Sequence, residues 1–289
     1  MTNEEKKLTI KRIVIFIILA YIPNYVLEIA FSDHRGGMNS MSASFTIMIY
    51  PAIANILTRI ITKEGVEEHY LKAHISKNKG IYILSALLPL IWGFFNLFVL
   101  HFFFDRSSDM SQLLNESTNN KGMMMLIPLI ILSYIQSIPL LFMGFGEEFG
   151  WRAYLTPKLE KLMPRSAACC VTGVVWAVWH APLIWYGYDF GRDYPGFPYV
   201  GILAMCAACI PMSYMLTWMT EKTKSVYPAM ICHMMIDNVM NIPVLAMADK
   251  DVLDDNSLMI GLLVMGLVPT IFTAAILISK LTAAKKCEA

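Results

Sequence analysis

Eight long apolar runs dominate this sequence and constrain its fold more than any other feature. A transmembrane helix requires about 20 mostly apolar residues, and runs of this kind cover roughly 12–31, 41–61, 81–104, 124–146, 166–186, 198–219, 225–247 and 258–280. Of the 289 residues, 56% are hydrophobic and only 16% are charged, which is typical of a multi-pass membrane protein. The sequence therefore predicts an all-α fold, a polytopic helix bundle with about eight transmembrane helices forming one domain over residues 1–289.

The distribution of basic residues predicts how the bundle is oriented. Cytoplasmic loops of membrane proteins carry an excess of Lys and Arg, and this excess falls on the N-terminal segment, on alternate loops and on the C-terminal tail. One of these loops follows the fourth run and carries Arg152 and Lys158. Eight spans with both termini in the cytoplasm satisfy every loop, and the Ser/Asn-rich segment 105–122 is then external. A net charge of +1 gives no reason to expect a nucleic-acid partner.

Two adjacent carboxylates and an arginine end the fourth apolar run. Charged groups at membrane depth are costly, so they indicate a functional site. On a helix, Glu148 and Arg152 lie four residues apart and can pair, whereas Glu147 points about 100° away and lacks that partner. Glu147 is therefore the candidate general base, with Glu148 and Arg152 holding its helix. The alternative is that the two glutamates only mark the water boundary.

Two histidines and an aspartate lie in later apolar runs. His180 follows Trp176 by four residues, and a lone histidine of this kind can also be a packed core residue. His233 and Asp237 share a helix face, and Asn238 adds a further polar group beside them. Taken alone, this last helix also fits the proton or ion site of a transporter.

One glutamate and two histidines permit two hydrolytic chemistries. Glu147 and His180 could activate water directly, with His233 and Asp237 on the side of the oxyanion. Alternatively, Glu147, His180 and His233 could bind zinc, although the sequence has no His-Glu-x-x-His motif. The sequence establishes no cofactor, and zinc is the alternative.

Three motifs in this order resemble the CAAX prenyl endopeptidase and bacteriocin-processing (Abi, CPBP) family of intramembrane proteases. The family pattern is Glu-Glu-x-x-x-Arg, then Phe-x-x-x-His, then His-x-x-x-Asn or Asp. The first motif is complete here at Glu147, Glu148 and Arg152. The second carries Trp176 in place of phenylalanine before His180, and the third is the aspartate variant, His233 and Asp237. The resemblance covers about 124–247, the expected catalytic core.

The resemblance implies hydrolysis of a peptide bond in a membrane-associated peptide or protein, with the lipid bilayer as the surroundings. By resemblance, Glu147 is the catalytic base, His180 its partner on the water, and His233 with Asp237 the pair beside the oxyanion. Substrates of the CAAX type or bacteriocin and signal peptides are expected, in a multi-pass protein of a bacterial cytoplasmic membrane. Two alternatives from other classes are a non-catalytic immunity or sensor protein on the same fold and a proton-coupled transporter.

Overall fold

A computed structural model describes residues 1–31, 47–65, 70–103, 123–187, 189–243 and 257–288, and these residues form helices and turns without a β-strand. Residues 105–122, the predicted external loop, lie outside this set. The helices, in chain order, are α1 (Asn3–Phe31), α2 (Tyr50–Ile61), α3 (Ile75–Phe103), α4 (Met123–Gly150), α5 (Thr156–Glu160), α6 (Arg165–Trp179), α7 (Ala181–Trp185), α8 (Tyr199–Thr223), α9 (Tyr227–Met235) and α10 (Ser257–Glu288).

The all-α prediction is confirmed, and every predicted apolar run overlaps one of these helices. Within the described residues, four helices are long and apolar enough to cross a membrane: Asn3–Ala30, Ile75–Val99, Leu126–Glu160 and Tyr199–Thr223. The remaining apolar helices are shorter in their described parts. The count of eight spans and the cytoplasmic location of both termini therefore stay predictions.

The fourth helix does not stop at the glutamates. α4 passes into a π-helical turn at Trp151–Leu155, and α5 follows directly, so the helical segment continues to Glu160. In the π turn the backbone N–H of Thr156 donates to the Trp151 carbonyl, five residues back, and its hydroxyl donates to the same oxygen. Arg152 and Lys158, which the sequence also assigned to a basic cytoplasmic loop, are buried in this helical segment.

The later helices pack mainly on one another, and α9 joins them to the fourth helix. α8 packs against α6 and α10, while α9 packs against α3 and α4. α6 ends at Trp179, and α7 begins two residues later with Pro182 in its first turn, where the missing N–H of proline has no cost. His180 therefore lies at a helix junction, inside the run that was predicted as one helix over 166–186.

Candidate active site

Glu147 is a fully buried carboxylate held by two tryptophans. Its Oε2 accepts hydrogen bonds from the indole N–H of Trp151 at 3.1 Å and of Trp176 at 2.6 Å. Trp151 lies one helical turn further along the same segment, whereas Trp176 comes from α6. Its other oxygen, Oε1, has no hydrogen-bond partner in the described part of the chain and remains available on the cavity wall that Glu147 lines.

Glu148 lies on a different side of the helix and forms a buried ion pair. Its Oε1 is 2.9 Å from Nη1 of Arg152, and both side chains are completely buried, so the predicted pairing is present. The Arg152 guanidinium also lies 4.3 Å from the centre of the Trp176 ring, in a cation–π contact. This arrangement fixes Trp176 between Arg152 on its face and Glu147 at its N–H.

His233 joins the third motif to the other two. Its Nδ1 is 2.8 Å from Oε1 of Glu148, close enough for an ion pair although the alignment is not that of a hydrogen bond. Its ring packs edge-on against Trp176, with ring centres 5.1 Å apart. An imidazole beside carboxylates is favoured in its cationic form, in which both nitrogens carry protons.

Asp237 lies near His233 without a hydrogen bond to it. The distance from its Oδ2 to Nε2 of His233 is 3.8 Å, longer than a hydrogen bond allows. The simple four-residue spacing is disturbed because the helix widens into a π turn at Ile236–Met240. Asn238 donates to the Met234 carbonyl at 2.9 Å, so its amide is engaged with its own helix.

His180 has a defined tautomer. Its Nδ1 is 2.9 Å from the carbonyl oxygen of Trp176, which can only accept, so Nδ1 carries the proton and Nε2 is the basic nitrogen. The ring packs edge-on against Trp179 with centres 5.1 Å apart. Both contacts come from α6, so the orientation of His180 depends on the end of that helix.

One cavity of about 390 Å³ collects these groups. Its wall includes Glu147, His180, His233, Asp237 and Trp176, so all three motifs reach the same space. The apolar part of the wall is rich in methionine, a flexible side chain that adapts to varied ligand shapes: Met48, Met205, Met212, Met240 and Met265. A cavity of this size accommodates several amino-acid side chains.

Trp151 and Asp189 are polar contributors to the site that lay outside the candidate set from sequence. Trp151 donates to Glu147, and the four-residue spacing that pairs Glu148 with Arg152 could have identified it. Asp189, between α7 and α8, also lines the cavity, and nothing in its loop sequence indicates this. Burial raises the pKa of Asp189 to about 6; the charge of His180 opposes the shift, and the charges of Asp237, Glu28 and Glu147 reinforce it.

The zinc alternative does not fit the donor arrangement. Among the described residues, no group of three or more His, Cys, Asp and Glu side chains is arranged to hold a metal ion. Oε2 of Glu147 is already occupied by two N–H donors, and Nδ1 of His233 faces a carboxylate shared with Arg152.

Comparison with known proteins agrees with these motifs. Residues 128–239 match the family described as type II CAAX prenyl endopeptidase Rce1-like. CAAX prenyl protease 2 of Methanococcus maripaludis is 30% identical over 105 residues, which are 35% of this chain and 39% of that protein. The match thus spans less than half of the relative. The apolar helices and the family together indicate an integral membrane protein. The segment 128–239, which carries Glu147, His180 and His233, is similar to the type II CAAX prenyl endopeptidase Rce1-like family.

Proposed function

We propose that this protein is an intramembrane endopeptidase that hydrolyses a peptide bond in a membrane-associated peptide or protein. The observation that carries the proposal is the buried Glu147 carboxylate, which two indole N–H groups hold at Oε2 and which lines the same cavity as two histidines. Substrates of the CAAX type are favoured by the family, and bacteriocin or signal peptides are the second class.

Glu147 acts as the general base on a water molecule in the cavity. Oε1 removes a proton from the water while the indoles keep Oε2 in place, and His180 accepts a hydrogen bond from the same water at Nε2. The water oxygen then forms a bond to the carbonyl carbon of the substrate. When the C–N bond breaks, Glu147 returns the proton to the leaving nitrogen, so the carboxylate is restored.

His233 stabilises the oxyanion that forms during this attack. A cationic imidazole beside the reacting carbonyl offers both charge and an N–H donor, which are worth most in a site shielded from water. An ionised carboxylate accepts hydrogen bonds and cannot donate one to an oxyanion, so Asp237 does not bind the oxyanion itself. Its negative charge instead stabilises the His233 cation, with Oδ2 lying 3.8 Å from Nε2. Glu148 holds His233 in place through its carboxylate, and Arg152 holds Trp176 in place through its guanidinium.

The test is cleavage of membrane-anchored peptides by the purified protein in lipid vesicles. We expect Glu147→Gln, which keeps the shape and removes the base, to lower the rate by roughly 10²–10⁴-fold. Glu28→Gln is the matched control, because Glu28 is also a fully buried carboxylic acid but does not line the cavity. Undiminished cleavage by the folded Glu147 variant would refute the proposal.

The same assay distinguishes the two hydrolytic chemistries. A farnesylated Cys-Ala-Ala-x peptide and an unmodified leader peptide probe the two substrate classes, each with and without a chelator. We expect the chelator to leave the rate unchanged. Loss of activity that zinc restores would instead support a metal bound by Glu147, His180 and His233.

A further inference from the structure

Side chains from α1 and α2 bind backbone carbonyls beside the proposed catalytic residues. The amide nitrogen of Asn24 in α1 donates to the Trp179 carbonyl at 2.7 Å, directly before His180. That of Asn55 in α2 donates to the Phe149 carbonyl at 2.8 Å, directly after Glu148. Both asparagines are fully buried, and both lie outside the segment matched to the family.

Asn24 belongs to a polar face of α1 that holds the end of α6. The hydroxyl of Tyr25 donates to the Val178 carbonyl at 2.7 Å, and that of Tyr21 donates to the Val175 carbonyl. The last carbonyls of a helix lack partners within the helix and need donors from elsewhere. α1 supplies such donors to the Val178 and Trp179 carbonyls at the end of α6, the helix that carries Trp176 and leads into His180.

Asn55 plays the corresponding part at the end of α4, where it binds the Phe149 carbonyl. Its side-chain oxygen accepts from Nε of Arg59 at 2.8 Å, and Nη1 of Arg59 donates to the Gly65 carbonyl at 2.8 Å. The asparagine is thus fixed on both sides before it binds Phe149. The bound carbonyl lies two residues before the π turn that carries Trp151.

We propose that Asn24 and Asn55 are positioning residues, each holding the backbone of one element that presents an indole donor to Glu147. Asn24 acts through Trp176 on α6 and through His180 directly after it, and Asn55 acts through Trp151 on the π turn. A reacting group displaced by about 1 Å can cost on the order of 10²-fold in rate. This inference rests on the proposed hydrolytic function, and it extends the site beyond the family motifs.

The variants replace each amide and keep the volume. Asn24→Leu and Asn55→Leu remove the donor, while Asn24→Asp and Asn55→Asp serve where the leucine variant does not fold. Matched controls are Thr9→Val in α1 and Thr58→Val in α2. Among the described residues, their buried hydroxyls bond only to the Glu5 and Ala54 carbonyls of their own helices, at 2.8 and 2.6 Å.

Two readouts separate positioning from a loss of folded protein. We expect the asparagine variants to cleave roughly 10- to 100-fold more slowly, and the acidic limb of the pH–rate profile to move to higher pH because Glu147 loses an ordered donor. A smaller folded fraction would lower the whole profile without moving it. The threonine controls should match the native protein in both readouts.

Backbone hydrogen exchange tests the contacts without substrate. We expect Asn24→Leu to accelerate exchange over 176–186 and Asn55→Leu over 147–156, each leaving the other segment unchanged. Exchange and profiles like those of the threonine controls would overturn the inference while the native protein still cleaves. If no peptide is cleaved by the native protein, the proposed function fails, and the exchange pattern alone decides whether the asparagines hold these segments.

Discussion

At the scale of single residues, the two indole donors to Glu147 are the contacts whose loss should be easiest to measure. We predict that Trp176→Phe lowers cleavage roughly 10- to 100-fold, since a buried hydrogen bond to a charged group contributes about 1.5–3 kcal/mol. The control is Trp92→Phe, because Nε1 of Trp92 is buried without a hydrogen-bond partner in the described residues. A Trp176 variant as active as the Trp92 variant would show that the indole N–H has no role.

Asp189 gives a pH-dependent prediction at the same scale. Its pKa is raised from 3.8 to about 6, so the unfolded chain releases the proton before the folded protein does. Stability is therefore lost as the pH rises from about 4 to 6, and the loss is complete above that range. We predict that Asp189→Asn raises the melting temperature more at pH 7.5 than at pH 4.5. The control is Asp193→Asn at an exposed neighbouring position, which should change the melting temperature equally at both pH values. An equal gain in melting temperature for Asp189→Asn at both pH values would contradict the prediction.

At the scale of elements, α4 and the residues directly before α2 approach so closely that a glycine is required between them. A Cβ atom on Gly146 would lie 2.4 Å from the Met48 carbonyl oxygen and 2.7 Å from Cα of Ile49, both of which are backbone atoms. We predict that Gly146→Ala separates the helices, lowers the melting temperature and reduces cleavage. Gly266→Ala in α10 is the control, because the nearest atom would lie at 3.8 Å, an ordinary contact. Equal stability of the two variants would refute the close approach.

The helices themselves were predictable from hydropathy, but their ends and irregularities were not. The apolar run before Glu147 indicated α4, and the structure continues it through a π turn that no residue type marks. The run around His180 was predicted as one helix, yet it breaks at His180. There the ring Nδ1 binds the Trp176 carbonyl, and Pro182 lies in the first turn of the next helix. Such local exchanges of hydrogen bonds depend on tertiary partners, which spacing does not encode.

At the scale of the whole molecule, the motifs identified the residues of the candidate site but not the groups that hold them. Glu147, His180 and His233 could be identified because ionisable groups in apolar runs are conspicuous. The structure brings all three to one cavity. Asn24 and Asn55 lie in α1 and α2, where single polar residues are ordinary and no motif exists. Only the folded arrangement shows that they bind carbonyls more than 90 residues away in sequence.

The orientation of the molecule remains a prediction from the basic residues, and thiol labelling tests it. With eight spans and cytoplasmic termini, the exposed residues Asn3 and Lys222 lie inside the cell and the exposed Asp193 lies outside. We predict that a membrane-impermeant maleimide labels Asp193→Cys in intact cells but labels Asn3→Cys and Lys222→Cys only after lysis. The protein without an introduced cysteine gives the background, which is low where the native thiols are buried. Labelling of Asn3→Cys in intact cells would place the N-terminus outside the cell. Because each crossing of the bilayer exchanges inside for outside, labelling of Lys222→Cys without Asn3→Cys would mean an odd number of spans between these two positions.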